Sequence, residues 1–306
     1  MNKANNLPIV SVAVIAYNSS EYIIDTLNSI KNQTYQNLEL VISDDCSTDN
    51  TIEICNQWVK KNRDRFTNVA IITASKNTGL SPNYNRAINA CSGTWIKEID
   101  ADDKLLPDCI ADFINYTIIH PEAKYIFAKV RCFGADETIC KKYENVFKYE
   151  IFLKTSEEQL HYLIYCENFI PSQGSFFNKE FIAQIGFHND ERLPMIEDWP
   201  KWITLLQKGV KFYFMDKYVA DYRVSGGVST SSNVSPRYLR SLLLLDLYYR
   251  YPVWIKDGNP QYIDIIANRF LAADNEILRL RNTHAYRLGK FLLRPASWFK
   301  QLTSKK

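Results

Sequence analysis

An α/β fold built on a mainly parallel sheet is what this sequence predicts, on three observations. The run from Ile9 to Ala16 is almost continuously apolar and β-branched, the pattern of a strand covered on both faces. Strand-like runs then alternate with segments of helical period, four times within the first 120 residues. Each strand ends in a polar or acidic loop, and open parallel sheets bind ligands beyond the carboxyl ends of their strands.

Taken in order, the first strand gives way to Tyr17-Asn18-Ser19-Ser20 and a helix carrying Ile23, Ile24, Leu27 and Ile30. Leu38 to Ile42 is a second strand, closed by Ser43-Asp44-Asp45-Cys46-Ser47-Thr48-Asp49, and Ile52, Ile54, Cys55, Trp58 and Val59 mark the next helix. Val69 to Ile72 is a third strand, residues 77–82 a loop and residues 83–90 a helix. A fourth strand covers 94–99, followed by a helix from about Pro107 with Ile110, Phe113, Ile114 and Ile118 on one face. Another strand runs from Lys124 to about Val130, and the alternating charges and aromatics of 141–149 suggest a hairpin. Pro200 falls in the first turn of a helix whose apolar face is Trp202, Ile203, Leu205 and Leu206. Residues 236–294 read as helices, one with Leu239, Leu242, Leu243 and Leu247, another with Ile263, Ile266, Phe270, Leu271, Ile277 and Leu278.

The chain is organised around Trp95-Ile96-Lys97-Glu98-Ile99-Asp100-Ala101-Asp102-Asp103, a short strand ending in three carboxylates. The Asp-x-Asp spacing puts Asp100 and Asp102 on the same side of an extended chain. Two such carboxylates repel unless a cation sits between them, and a hard divalent ion carrying phosphate oxygens suits the position. Acidic turns after strands also arise for capping alone, so this stretch needs support from the rest of the chain.

Composition narrows the choices. With 46% hydrophobic and 23% charged residues, the 306-residue chain is of globular type. Its seven cysteines contain no Cys-x-x-Cys pair and its four histidines are scattered, which excludes a zinc cluster or disulfide framework and suits a reducing cytosol. The apolar run from Pro8 to Ala16 is too short for a secretory or membrane segment. Neither a Gly-x-Gly-x-x-Gly nor a Gly-Lys-Ser/Thr loop occurs, which argues against dinucleotide and P-loop sites. Residues 277–306 hold eight basic and no acidic side chains, so a net charge of +3 leaves −5 on residues 1–276.

The succession VSVAVIAYNSSEYIIDTLNSIKNQTYQNLELVISDDCSTDNT, then KNTGLSPNYNRAINACSGTWIKEIDADD, resembles the nucleotide-sugar domain of glycosyltransferase family 2, of GT-A fold and bacterial surface-polysaccharide type. The resemblance covers about residues 8–225 and rests on several motifs in the right order. It implies a mainly parallel nucleotide-binding sheet flanked by helices, in a domain spanning 1–230 with a nucleotide-sugar half at 8–120 and an acceptor half at 121–230. A helical C-terminal extension, 231–306, follows. It further implies that Tyr17, flanked by Ala16 and Asn18, packs on a uracil whose N3–H donates to Asp45. Asn77, Gly79 and Asn85 would close over the nucleotide. Asp100 would meet the ribose beside Ala101, Asp102 would ligate Mn²⁺ or Mg²⁺, and Asp103 would support the metal or cap a helix. No clear equivalent is found for the arginine that some relatives place near the base.

Ser175-Phe176-Phe177 resembles the family's strand before the acceptor-site helix, and Glu197-Asp198 its Glu-Asp motif, with Asp198 as catalytic base and Glu197 as fallback. A carboxylate at a helix N-terminus is expected to be held ionised by the dipole and amides. The segment 222–230 resembles one that closes over the donor, but Val224-Ser225 stands where many relatives have a metal-serving His. The implied activity is inverting transfer from a UDP-sugar to a glycan acceptor, lipid-linked in many relatives, with no nucleic acid involved. The alternative is a non-catalytic nucleotide-sugar-binding protein. In the tail, Leu288, Phe291, Leu292, Pro295, Trp298, Phe299 and Leu302 share one face of a helical wheel and Arg287, Lys290 and Arg294 another, with Pro295 kinking or restarting the helix. Residues 284–306 therefore read as a segment for an anionic membrane surface, which predicts a cytoplasmic protein peripheral on the inner face of the plasma membrane. An amphipathic helix docked on the protein's own acidic body is the competing expectation.

Overall fold

The structure is a computed structural model that describes residues 7–224 and 236–257, with helical positions 268, 271, 275 and 279. It divides into two compact units, Met1–Asn233 and Val234–Lys306.

The first unit opens with β1 (Val10–Ala16), α1 (Ile23–Lys31), β2 (Leu38–Asp44), α2 (Thr51–Asn62), β3 (Asn68–Thr73), α3 (Leu80–Ala90) and β4 (Trp95–Asp100). It continues through β5 (Lys104–Leu105), α4 (Cys109–Ile119), β6 (Tyr125–Phe133), α5 (Glu137–Glu144), α6 (Ser156–Tyr165), β7 (Ser175–Asn178), α7 (Lys179–Gln184), α8 (Asp198–Gln207) and β8 (Tyr213–Arg223). These strands form one eight-stranded sheet in the order β3-β2-β1-β4-β7-β6-β8-β5. The β3-β2-β1-β4 half is parallel throughout, β6 and β8 pair parallel, and β7 and β5 pair antiparallel with their neighbours. Every residue of β1 and β2 is buried, which is why both are largely apolar, and the buried Ser11 of β1 donates to the buried Glu39 of β2. The core lies where α1, α2 and α4 set Leu27, Ile30, Trp58, Ile110 and Phe113 against Val12, Val14, Leu40 and Ile42.

Strand order reverses at β1, which has β2 on one side and β4 on the other. The register pairs Ala16 with Asp44 and Ile15 with Asp100, so three strands deliver their terminal residues to one crevice.

Three expectations are corrected. Residues 141–149 are no hairpin: α5 covers Glu137–Glu144, and a 3₁₀ turn covers Tyr149–Leu153. The helix signals are Asp136, whose side chain accepts from the Ile139 amide, and the exposed Glu137–Lys141 pair one turn apart at 2.6 Å. Next, α3 begins at Leu80 and not at 83, because Gly79 turns the chain and Pro82 fits a first helical turn. The third lies in the second unit, where α9 (Pro236–Leu245), a π-helical turn (Asp246–Arg250) and α10 (Tyr251–Asp257) follow one another. The wider π turn shifts the helix face, so Leu245 and Trp254 are buried while Leu247 is exposed. Of the other expected helix, Leu271 is described and exposed, and Ile263, Ile266, Phe270, Ile277 and Leu278 lie outside the described residues. So do 225–230 and the tail 284–306.

Candidate active site

At the end of β1 the chain turns through Tyr17, half-exposed, and Asn18, which takes a positive φ of 49°. Asn18 staples this turn to the loop after β2: its amide donates to Ser47 Oγ at 2.8 Å, and its side-chain oxygen accepts from the Thr48 amide at 2.8 Å. The Ala16 carbonyl accepts from the Asp45 amide and from Asn83 Nδ2.

Asp45 is buried and anchors the loop before α3. Its Oδ2 accepts from the amides of Thr78 (2.9 Å) and Gly79 (2.6 Å), and its Oδ1 from Thr78 Oγ1 (2.6 Å) and Arg86 (2.6 Å). Burial disfavours the charge, but these donors outweigh it and hold the Asp45 pKa below the ordinary range. They fill the lone pairs of the carboxylate, so an N3–H of a base could enter only by displacing one of them. Arg86, which the sequence reading did not single out, is the charged partner of Asp45. It lies on α3, and its guanidinium also donates to Thr78 Oγ1 at 2.8 Å.

Gly79 has a φ of 105°, and a Cβ there would stand 2.7 Å from Pro194 Cβ. The Leu80 amide donates to the Pro194 carbonyl at 2.7 Å, Ser81 Oγ to the Leu193 carbonyl at 2.7 Å, and Asn85 exchanges hydrogen bonds with the Asn189 backbone. Asn85 therefore ties α3 to the loop that leads into α8. Asn77 is exposed and lines a depression of about 510 Å³ with Lys76, Thr78, Asn85, Arg86 and Glu191. That depression does not include the acidic residues of β4 and α8.

Those acids form the chemical centre. Asp100 Oδ1 accepts from the Tyr84 hydroxyl at 2.8 Å and Oδ2 from Gln173 Nε2 at 3.1 Å. Burial, then the charge of Asp102, pushes the Asp100 pKa up to about 7. The Ala101 amide continues the sheet by donating to the Ile15 carbonyl. Burial raises the Asp102 pKa against the pull of its own amide and of Arg223. Arg223 binds the Asp102 carbonyl through Nε at 3.0 Å and stacks over Tyr22 at 4.1 Å. Asp103 is fully buried: Oδ1 accepts from the Arg223 amide at 2.7 Å, and Oδ2 has no hydrogen-bond partner.

Half-buried Asp102, with hard oxygens and neighbouring acids whose charges are disfavoured by burial and then by one another, fits a divalent cation that takes its other ligands from substrate phosphates and water. Among the described residues no three His, Cys, Asp or Glu side chains converge as a metal site by themselves.

At the start of α8, Asp198 Oδ1 accepts from the Trp199 amide at 2.6 Å and Oδ2 from Asn168 Nδ2 at 2.6 Å. Of the expected helix-start donors, the Trp199 amide is the one bonded to Asp198. Burial raises its pKa, and the Trp199 amide, Lys201 and Asn168 only partly oppose the rise. Glu197 is more deeply buried, and burial, then Asp198, drives its pKa well up, with Asp100 adding to the effect. Tyr84, Arg86, Asn168, Gln173 and Arg223 escaped the sequence reading because their roles depend on partners 16 to 121 residues away, which no local period reveals.

The model of the family described as "Glycosyl transferase family 2" matches residues 11–185. The chain is 27% identical over 229 residues to the putative teichuronic acid biosynthesis glycosyltransferase TuaG of Bacillus subtilis, covering 74% of this chain and 82% of that protein. It is 27% identical over 234 residues to the Escherichia coli UDP-Glc:alpha-D-GlcNAc-diphosphoundecaprenol beta-1,3-glucosyltransferase WfaP, covering 74% and 81%. Of several longer relatives it spans a third or less. In fold it is similar to S. aureus TarS in complex with UDP-GlcNAc (TM-score 0.56, 20% identity, 79% of this chain and 66% of that one). It is likewise similar to the mannosyltransferase PcManGT of Pyrobaculum calidifontis, in complex with GDP-Man and Mn²⁺ (TM-score 0.59, 16% identity, 99% and 89%). With its mostly parallel, helix-flanked sheet of GT-A type and a family model matched over more than half its length, the chain belongs to glycosyl transferase family 2.

Proposed function

We propose that the protein is a metal-dependent inverting glycosyltransferase that moves a sugar from a UDP-sugar to a hydroxyl of a lipid-linked glycan during surface-polysaccharide assembly. The observation that carries this reading is the meeting of two acidic pairs from distant parts of the chain. Asp100 ends β4 with Asp102 in the turn after it, Glu197 caps α8 and Asp198 opens it, and Asp100 lies close enough to Glu197 to raise its pKa. The names of WfaP, with its UDP-Glc donor and diphosphoundecaprenol acceptor, and of the TarS complex with UDP-GlcNAc support the donor and acceptor classes.

In this reading Tyr17 and the Asp45–Arg86 group receive the uridine, and Asn77, Gly79 and Asn85 shape the loop above it. Asp100 contacts the ribose. Asp102 holds Mn²⁺ or Mg²⁺, which when bound stabilises charge on the leaving diphosphate. Arg223 lies beside Asp102, where its guanidinium favours the same charge. Asp198, fixed through both oxygens, takes the acceptor hydroxyl proton as that oxygen attacks the anomeric carbon opposite the phosphate. The C1–O bond breaks and UDP leaves with its electron pair. A raised pKa suits this task, because a base must hold the proton it accepts.

No helix of the described residues is long and apolar enough to cross a membrane. The basic segment 284–306 would bring such an enzyme to the anionic inner face of the plasma membrane, where a lipid-linked acceptor resides. The test is release of the corresponding nucleotide from a panel of UDP-, GDP- and CMP-sugars with Mn²⁺. The reading expects slow hydrolysis of at least one UDP-sugar, and binding of UDP-sugars without any turnover would replace it with a non-catalytic nucleotide-sugar protein.

A further inference from the structure

Beneath the two acidic pairs lies a buried ion pair to which the proposed reaction assigns nothing. Lys201 Nζ and Glu98 Oε2 are 2.9 Å apart, with side chains 2% and 1% exposed. Glu98 is on β4, two residues before Asp100, and Lys201 is on α8, one turn after Glu197 and Asp198. The same Nζ sits 5.2 Å from the ring of Tyr84, whose hydroxyl donates to Asp100. One ammonium group therefore touches the element that carries the donor-side acids and belongs to the helix that carries the acceptor-side acids. The other oxygen of Glu98 has no hydrogen-bond partner among the described residues, so Lys201 compensates that charge at contact, with Ser175 Oγ at 3.5 Å and the buried Lys97 close enough to interact with it. A buried pair of this kind is poor value for stability alone, since matched apolar residues often serve as well.

We propose that Lys201 is a positioning residue for the transfer step: its ion pair with Glu98 seats the first turn of α8 on β4, and its charge sets the field in which Asp198 works. The proposal rests on Asp198 being the base. Asp198 faces Glu197 and Lys201 from its own helix and Asn168 from the chain before β7, while Glu98 and Asp100 on β4 and Tyr84 on α3 surround Lys201 and Glu197. A positive charge nearby favours the ionised base, so removing it raises the pKa of Asp198. A base must be deprotonated to act, and its raised pKa moves the acid limb of the rate profile to higher pH.

The experiment compares the full chain with its Lys201→Met and Glu98→Gln/Lys201→Met variants. It follows Mn²⁺-dependent UDP release from UDP-glucose and UDP-GlcNAc between pH 5 and 9, and UDP affinity by calorimetry. Lys201→Met is expected to lower kcat at least about tenfold and move the acid limb up by about half a pH unit or more, with UDP affinity within about twofold of wild type. The double variant removes both charges of the pair together, so it is expected to melt closer to wild type than Lys201→Met and still show the displaced limb. Should Lys201→Met fail to fold, the double variant carries the test alone. A double variant with wild-type kcat and an unmoved limb would reduce the pair to a structural filler and overturn the proposal. Asp198→Asn run alongside separates the two readings. If it retains turnover, the assignment of the base is what fails. If it loses turnover while the limb of the Lys201 variants stays put, the positioning role is what fails.

Discussion

Asp102 and Asp198 divide the work at the level of single residues, and each makes its own prediction. Asp102→Asn keeps shape and removes charge, so calorimetry should find Mn²⁺-dependent UDP binding abolished and the melting temperature little changed. Unaltered UDP affinity with Mn²⁺ would put the metal elsewhere. Asp198 gives a pH signature. Burial lifts its pKa above the ordinary aspartate value of about 3.9. Below the raised pKa the base is protonated and idle, above it the base is free, so kcat should fall as pH drops through a limb above the ordinary aspartate range. A kcat flat down to pH 4 would contradict a buried Asp198 as the base. Sequence alone was enough to nominate both residues, because each stands in a short motif at an element boundary. Arg86, Gln173 and Asn168 were not legible, since nothing within a turn or strand of them signals Asp45, Asp100 or Asp198 as their partner.

The elements explain why the site is stiff. The loop 77–79 hangs on Asp45, and α3 is bonded through Leu80, Ser81 and Asn85 to the 189–194 segment that leads into α8. Gly79 is the hinge pin of this arrangement. Gly79→Ala meets both a φ of 105° and a contact of 2.7 Å with Pro194 Cβ, so it should cost about 2–4 kcal/mol in denaturant unfolding. Gly209, with a φ of 79° and open space for at least 4 Å around the position a Cβ would take, is the control: its Ala variant should cost only about 1–2 kcal/mol. Equal losses at the two positions would show that the Pro194 contact is not tight. At this scale the parallel half of the sheet was legible from its buried β-branched runs. Helix α5 was not, because it buries no residue and so lacks the apolar stripe by which a helix announces itself.

For the whole molecule, charge is divided along the chain: −5 on residues 1–276 and +8 on residues 277–306. If the basic segment attaches the enzyme to anionic lipid, the full chain should float with phosphatidylglycerol vesicles and a 1–283 truncation should not, the difference shrinking in high salt. Equal recovery of the two would remove the segment as an anchor and favour its docking on the protein itself. The central claim concerns the chemistry that the molecule assembles from two elements far apart in sequence, β4 and α8. Its most direct test is single-variant kinetics: initial rates of Mn²⁺-dependent UDP release from a UDP-sugar by wild type and Asp198→Asn, with donor affinity measured on both. The account predicts matching affinities and a rate at least about 100-fold lower in the variant, the lower range for a lost general base. A variant that releases UDP at close to the wild-type rate would contradict it.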